Sequence, residues 1–292
     1  MLHKLYKTPQ SILSLMKLSG SYWGTNSGSN VNAVKDLQQM IPKLAEHFKF
    51  VRLSNWIIGI REKESADRLI ELKEKHGVGY NIHMDYSEMN LAAKSDRIRE
   101  ASIGDAKEAV DFMALLGGGV LNFHLAFPPI FYRPGMDEMR LMHWNLELDS
   151  FRQIVACAKG KKVIIAIENV PPIHNFPHYI ESCNFKHHIF MLDNIKDDHF
   201  GINFDIGHFN ITAHKEKIDL KDVMKDIGPR IKYVHVHDND GSSDQHRPIG
   251  QGNIDWELFL DLLNQYGYEG VLEFEIGSLD DQIASKEYLM RL

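Results

Sequence analysis

Eight short runs of apolar and β-branched residues recur along the chain, at 17–22, 50–54, 79–83, 120–124, 163–168, 201–205, 232–237 and 271–275, with long amphipathic stretches between most of them. Leu and Ile fall at helical spacing over 31–47, 64–75, 95–116, 136–158, 219–227 and 256–266. A helix between two strands carries the chain back across the sheet, so successive strands pair in parallel. Repeated eight times, this predicts an α/β fold of one kind, a single (β/α)8 TIM barrel. No linker or shift in composition divides the 292 residues. The expected organisation is an N-terminal extension over 1–15 and one catalytic barrel over 16–292, its first strand opening at MKLSGSYWG. Two connections are irregular: AFPPIFYRP at 126–134, expected to fold over the barrel mouth as a lid, and the stretch 171–177.

Composition narrows the functions available to such a barrel. A formal charge of −7 argues against nucleic acid or an anionic membrane as partner. No apolar run approaches the ~20 residues of a membrane helix, and the two cysteines, Cys157 and Cys183, are too few for a disulfide framework. The expected setting is cytoplasmic, and a homo-oligomer stays open.

The polar residues at the strand ends carry the chemistry. In a parallel barrel all strand C-termini meet at one rim. The third run ends on His83, the fourth on His124, the fifth on Glu168, the sixth on Asp205 with His208 three residues on, the seventh carries His235, and the eighth ends on Glu275. A Gly/Ser/Asp loop after the seventh run adds Asp244 and His246. Each alone has an ordinary explanation as a strand cap or turn former. Six strands agreeing does not, because a buried ring of carboxylates without a cation repels itself and cannot stay ionised. Mixed imidazole and carboxylate donors suit zinc or manganese better than magnesium. His237, two residues after His235 and on the same strand face, is expected to orient its neighbour or touch substrate. The remaining histidines, His187 and His188 among them, read as surface or supporting groups. Trp23, Trp56, Phe131, Tyr132 and Arg133 fit the lining of a sugar pocket, with Arg133 or Arg247 available to a phosphate.

The phrases LNFH ending at His124, AIEN around Glu168, NFDIGH at 203–208, HVHDND from His235, DQHRPIGQGNIDW from Asp244 and YEGVLEFE ending at Glu275 resemble the xylose isomerase-like TIM barrels. That family contains sugar isomerases, epimerases and endonuclease IV. The resemblance covers nearly the whole chain from Met16. It implies that Glu168, Asp205, His235 and Glu275 form a four-ligand metal site, with Glu168 and Glu275 moving a carbon proton as base and acid. It further implies that His83, His124, His208, Asp244 and His246 match the additional ligands of the three-zinc cluster of endonuclease IV. Two expectations follow. The first is a divalent-metal-dependent sugar or sugar-phosphate isomerase or epimerase acting through a metal-stabilised enediolate, with one to three ions of manganese, zinc or cobalt per chain. The second is an endonuclease IV-like zinc phosphodiesterase acting on abasic DNA. The loop NWIIGIREKES after the second strand departs from the DNA-inserting loop expected of the latter, and with the net charge this favours the small substrate.

Overall fold

Eight parallel strands close into a barrel in sequence order, with the first strand hydrogen-bonded to both the second and the eighth. They are β1 (Lys17–Ser21), β2 (Phe50–Ser54), β3 (Gly79–His83), β4 (Gly119–His124), β5 (Val163–Glu168), β6 (Phe200–Asp205), β7 (Ile231–Val236) and β8 (Val271–Phe274). The computed structural model describes residues 16–21, 30–54, 63–84, 89–126, 137–172 and 183–292. The N-terminal extension, Trp23, Trp56, Phe131, Tyr132 and Arg133, and most of both irregular connections lie outside the described residues. No described helix is long and apolar enough to cross a membrane.

Helices follow the strands: α1 (Asn30–Ala45), α2 (Lys63–His76), α3 (Asp96–Leu115), α4 (Asp137–Ala158), α5 (Lys186–Asn194), α6 (Ile206–Glu216), α7 (Leu220–Ile227), α8 (Trp256–Gln265) and α9 (Leu279–Arg291). Their apolar stripes pack on the outward strand residues. Leu121 and Phe123 of β4, Ile165 and Ile167 of β5 and Leu272 and Phe274 of β8 join the buried cluster that includes Phe151, Phe259 and Leu263 from the helices. The period of two then turns the alternate residues inward. Near the strand N-termini these are apolar, with Val120, Ala166, Tyr233 and Val271 forming a second, smaller cluster against Phe50 and Ile164. Higher up they are polar: Arg52, Asn122, Glu168, Asn203, Asp205, His235 and Glu273 are all buried. The barrel is thus plugged with hydrocarbon at one end and lined with hydrogen-bonding and charged groups toward the other.

Two strand ends and two helices differ from the sequence expectation. β7 ends at Val236 and β8 at Phe274, so His237 and Glu275 begin loops rather than end strands. Helical spacing alone missed α6, because it starts without a spacer: Asp205 ends β6 and caps α6, its carboxylate accepting the His208 N–H at 2.7 Å. It also missed α9, capped by Ser278.

Candidate metal centre

Residues brought from six strand ends meet at the C-terminal rim as three adjoining clusters. The deepest comprises Glu168, Asp205, His235 and Glu275, whose facing donor atoms all lie within 4.8 Å of one another. His235 stands at its centre, with Nδ1 3.1 Å from Glu275 Oε2, 3.4 Å from Glu168 Oε1 and 3.7 Å from Asp205 Oδ2. On one side His83 Nε2 and His124 Nε2 each approach Glu168 Oε2 to 3.4 Å. On the other, His208, His237, Asp244 and His246 form the third cluster. Asp244 joins them: its carboxylate is 3.4 Å from His208 Nε2, 3.2 Å from His246 Nε2 and 3.8 Å from His237 Nε2. All nine ligand positions of the sequence reading therefore share one rim. His237, expected beside the ligands, stands among the donors, its Nε2 also 3.2 Å from Asp205 Oδ1.

The ring tautomers are set by backbone. The Nδ1 of His83 lies 2.9 Å from the Met84 carbonyl, that of His208 2.9 Å from the Asn169 carbonyl and that of His246 2.8 Å from the Glu275 carbonyl. A carbonyl can only accept, so each Nδ1 donates and leaves the Nε2 lone pair directed at the cluster, as metal-ligating histidines are commonly oriented. His235 is turned the other way, with Nε2 3.6 Å from Glu273 Oε1 and Nδ1 toward the carboxylates.

Loop chemistry explains how Asp244 and His246 return to the rim. Asp238 pairs backbone to backbone with Arg247, and its carboxylate accepts from Gly250 N and Trp256 Nε1 at 2.8 and 3.1 Å. A Cβ at Gly252 would lie 2.1 Å from Asp238 Oδ1, so the glycine is required by this close wrap. The phrase IGQGNIDW is thus a clasp around Asp238. Arg247 stands just before the clasp, and its guanidinium is held 2.9 Å from Asp240 Oδ2.

Interleaved opposite charges set the electrostatics of the rim. Burial pushes Glu168 up, but the charges of His235 and His124, with the close approach of His124 and His208, outweigh it and hold its carboxyl well below the usual range. Glu275 behaves the same way, with His235 and Arg52 outweighing burial, and Asp205 is held at about 2 against its own burial by His208 and His237. Conversely, burial lowers His235 and His208, yet Glu168, Glu275 and Glu273 raise the first well above its ordinary value, and Asp205 and Asp244 raise the second.

A divalent ion fits this donor set. Glu168 Oε1, Asp205 Oδ2, Glu275 Oε2 and both ring nitrogens of His235 are buried without a hydrogen-bond partner, an arrangement that is costly unless the atoms ligate a cation.

These shapes have counterparts among known proteins. The family model described as "Xylose isomerase-like TIM barrel" matches residues 20–291. The chain belongs to this family. Among similar proteins, the uncharacterized protein MJ1311 of Methanocaldococcus jannaschii is 28% identical over 76% of this chain and 72% of its own length. L-ribulose-5-phosphate 3-epimerase UlaE of Salmonella typhimurium is 25% identical over 64% of this chain and 60% of its own. A solved D-tagatose 3-epimerase-like protein superposes with a TM-score of 0.73 at 25% identity, covering 94% of this chain and 96% of the other.

Sequence reasoning missed the support beneath the rim of this xylose isomerase-like barrel. Arg52, 5% exposed, donates to Glu275 Oε1 at 2.9 Å and lies 3.1 Å from Glu273 Oε1, while Tyr233 donates its hydroxyl to Glu273 Oε2. Asn122 donates to Glu168 Oε2. The signal was present, since each lies two residues before a rim position or on the inward face of its strand. His187 and His188 are buried rather than at the surface, and Trp144 stacks on His187 at 4.5 Å.

Proposed function

We propose that this chain is a divalent-metal-dependent isomerase or epimerase of sugars or sugar phosphates. Glu168, Asp205, His235 and Glu275 would hold the principal ion. When bound, such an ion supplies Lewis-acid stabilisation of the negative charge that builds on neighbouring sugar oxygens as a carbon proton leaves. The observation that carries the reading is the pair Glu168 and Glu275, which flank His235 from β5 and from the end of β8, with their facing oxygens within 4.8 Å. Both are held ionised, so either serves as the base that takes a proton from carbon. For turnover the other must first have taken up a proton from solvent, which it would return to the opposite face of the carbon while the base keeps the proton it removed, inverting the centre. Arg52 and Asn122 fix the two carboxylates through the oxygens they bind. The named epimerases among the relatives support this substrate class. Metal-loaded Glu168→Gln and Glu275→Gln proteins should stay folded and lose turnover by ~100-fold or more, followed as exchange of the ketose carbon-bound proton with deuterated water. Near-normal exchange in both would remove the acid and base assigned here.

One observation favours a second reading. Three contiguous clusters offer more donors than a single ion uses, and clustered ions suit phosphodiester hydrolysis, where they stabilise attacking and leaving oxygens together. Nicking of abasic duplex DNA, falling steeply as salt rises, would select that chemistry over epimerisation. The net charge of −7 weighs against it.

A further inference from the structure

The end of the barrel opposite the rim carries a second concentration of charge, of the other sign. A cavity of about 790 Å3 opens at the strand N-termini, and Lys17, Lys49, Lys162 and Lys232 stand around it with a single acid, Glu74. In a chain of net charge −7 this is a local inversion. Several lysines elsewhere are matched, as in Lys159 with Asp197, Lys161 with Asp111 and Lys225 with Asp222. None of these four forms an ion pair with an acid among the described residues. Nor do helix ends account for them. Lys73, in the last turn of α2, donates to the Leu116 carbonyl and so serves a helix terminus. The four others precede or open strands instead: Lys17 begins β1, Lys49 and Lys162 stand immediately before β2 and β5, and Lys232 is the second residue of β7.

The cavity wall adds a donor that does not depend on surface lysines. Asn81, 1% exposed, lines it, and its Oδ1 accepts from Val120 N at 3.0 Å, which fixes the amide orientation. Its Nδ2 group is buried without a partner. An unmet N–H donor is satisfied by an acceptor, and beneath a ring of ammonium groups the matching acceptor is anionic. The rest of the lining includes Phe50, Val120, Ile164 and Val271, hydrocarbon that would meet the body of an organic ligand. Gly118, on the cavity wall, lets the chain pass close to Lys162: a Cβ there would sit 2.2 Å from the Lys162 carbonyl oxygen.

We propose that this N-terminal mouth binds a small, multiply charged, phosphate-bearing molecule, at a site separate from the metal rim. Lysine ammonium groups hold phosphate as point charges, and the Asn81 amide would take one of its oxygens. The chain's own first fifteen residues, MLHKLYKTPQSILSL, carry Lys4 and Lys7 and no acid, so their charge matches the ring rather than complementing it. The site does not depend on the chemistry at the rim.

Calorimetric titration of the metal-loaded full chain with inorganic pyrophosphate tests this, comparing wild type with a Lys162→Gln/Lys232→Gln double variant. Both substituted side chains reach solvent, and melting temperature and bound metal report that the variant is otherwise intact. The expected result is saturable binding to wild type that weakens about tenfold per lysine removed and falls with added salt. Equal binding by both proteins would put pyrophosphate at the metal rim and overturn the proposal. So would no saturable binding by wild type, or binding that appears only after residues 1–15 are deleted.

Discussion

Glu147 is the side chain whose charge state is least like its composition would suggest. It is fully buried on α4, its Oε1 accepts from Ala126 N at 2.6 Å and its Oε2 lies 3.2 Å from His187 Nε2. Burial pushes its carboxyl up to about 8 and takes His187 well below its ordinary value, so at neutral pH this pair is uncharged rather than a salt bridge. The folded value stands above the unfolded 4.5, so the contribution of Glu147 is whole below 4.5 and is lost as pH rises through 8. By pH 7 the loss is on the order of 3 kcal/mol. Glu147→Gln, which keeps the acceptor for Ala126, should therefore melt higher than wild type at pH 8, with the gain shrinking toward pH 4.5. A gain equal at both ends of that range would mean the carboxyl is not buried neutral. At this scale the convergence of the nine candidate ligands on one rim was legible because a parallel barrel sends every strand end, and the loop that follows it, to one face. Glu147 was not, because an ionisable residue on a helix reads as ordinary surface polarity until its neighbours are known, and Arg52 and Glu273 were signalled only by their place on the inward strand face.

At the scale of elements, the β6 to α6 junction controls the rim most tightly. Asp205 is at once the last residue of β6, the cap of α6 and a member of the deepest cluster, and Asn169 brackets it through its backbone N–H and carbonyl, both at 2.9 Å. Gly207, in the first turn of α6, lies flat against the His237 ring, and a Cβ there would fall 2.1 Å from His237 Cε1. Alanine is favoured over glycine inside a helix by about 1 kcal/mol, yet here the ring or the helix must move. Gly207→Ala should therefore cost about 1–3 kcal/mol in denaturant unfolding and lower the affinity for metal in the third cluster by tenfold or more. Unchanged metal affinity would show that His237 can shift freely and does not belong to the donor set. The alternation of strand and helix made the barrel legible, whereas α6 escaped because one aspartate both ends a strand and starts a helix. The tight clasp around Asp238 escaped because it depends on two glycines and a tryptophan whose partner lies earlier in the chain.

Over the whole molecule, a polar barrel interior opening onto a charged rim stands above a hydrocarbon plug and a lysine-ringed mouth. Without ions, the rim is held by its own counter-charges. The carboxylates of Glu168, Asp205 and Glu275 sit below their ordinary values, so their contribution is present above about 4.5 and lost as pH falls through the lowered values. His208 and His235 sit above 6.5, so theirs is whole below 6.5 and lost as pH rises through the raised values. Chelated protein should be most stable between those limits, while bound ions, which compete with protons for imidazole, stabilise more as pH rises. The gap in melting temperature between loaded and chelated protein should thus widen from pH 6 to pH 8, and a constant gap would separate the ions from these histidines. The most direct test of the rim as a metal centre is the number of divalent ions retained per chain after loading with manganese, zinc or cobalt and exhaustive dialysis. Wild type should keep at least one and His235→Ala should lose it; a wild-type chain that retains none, or a His235→Ala chain that retains as many, would contradict the account.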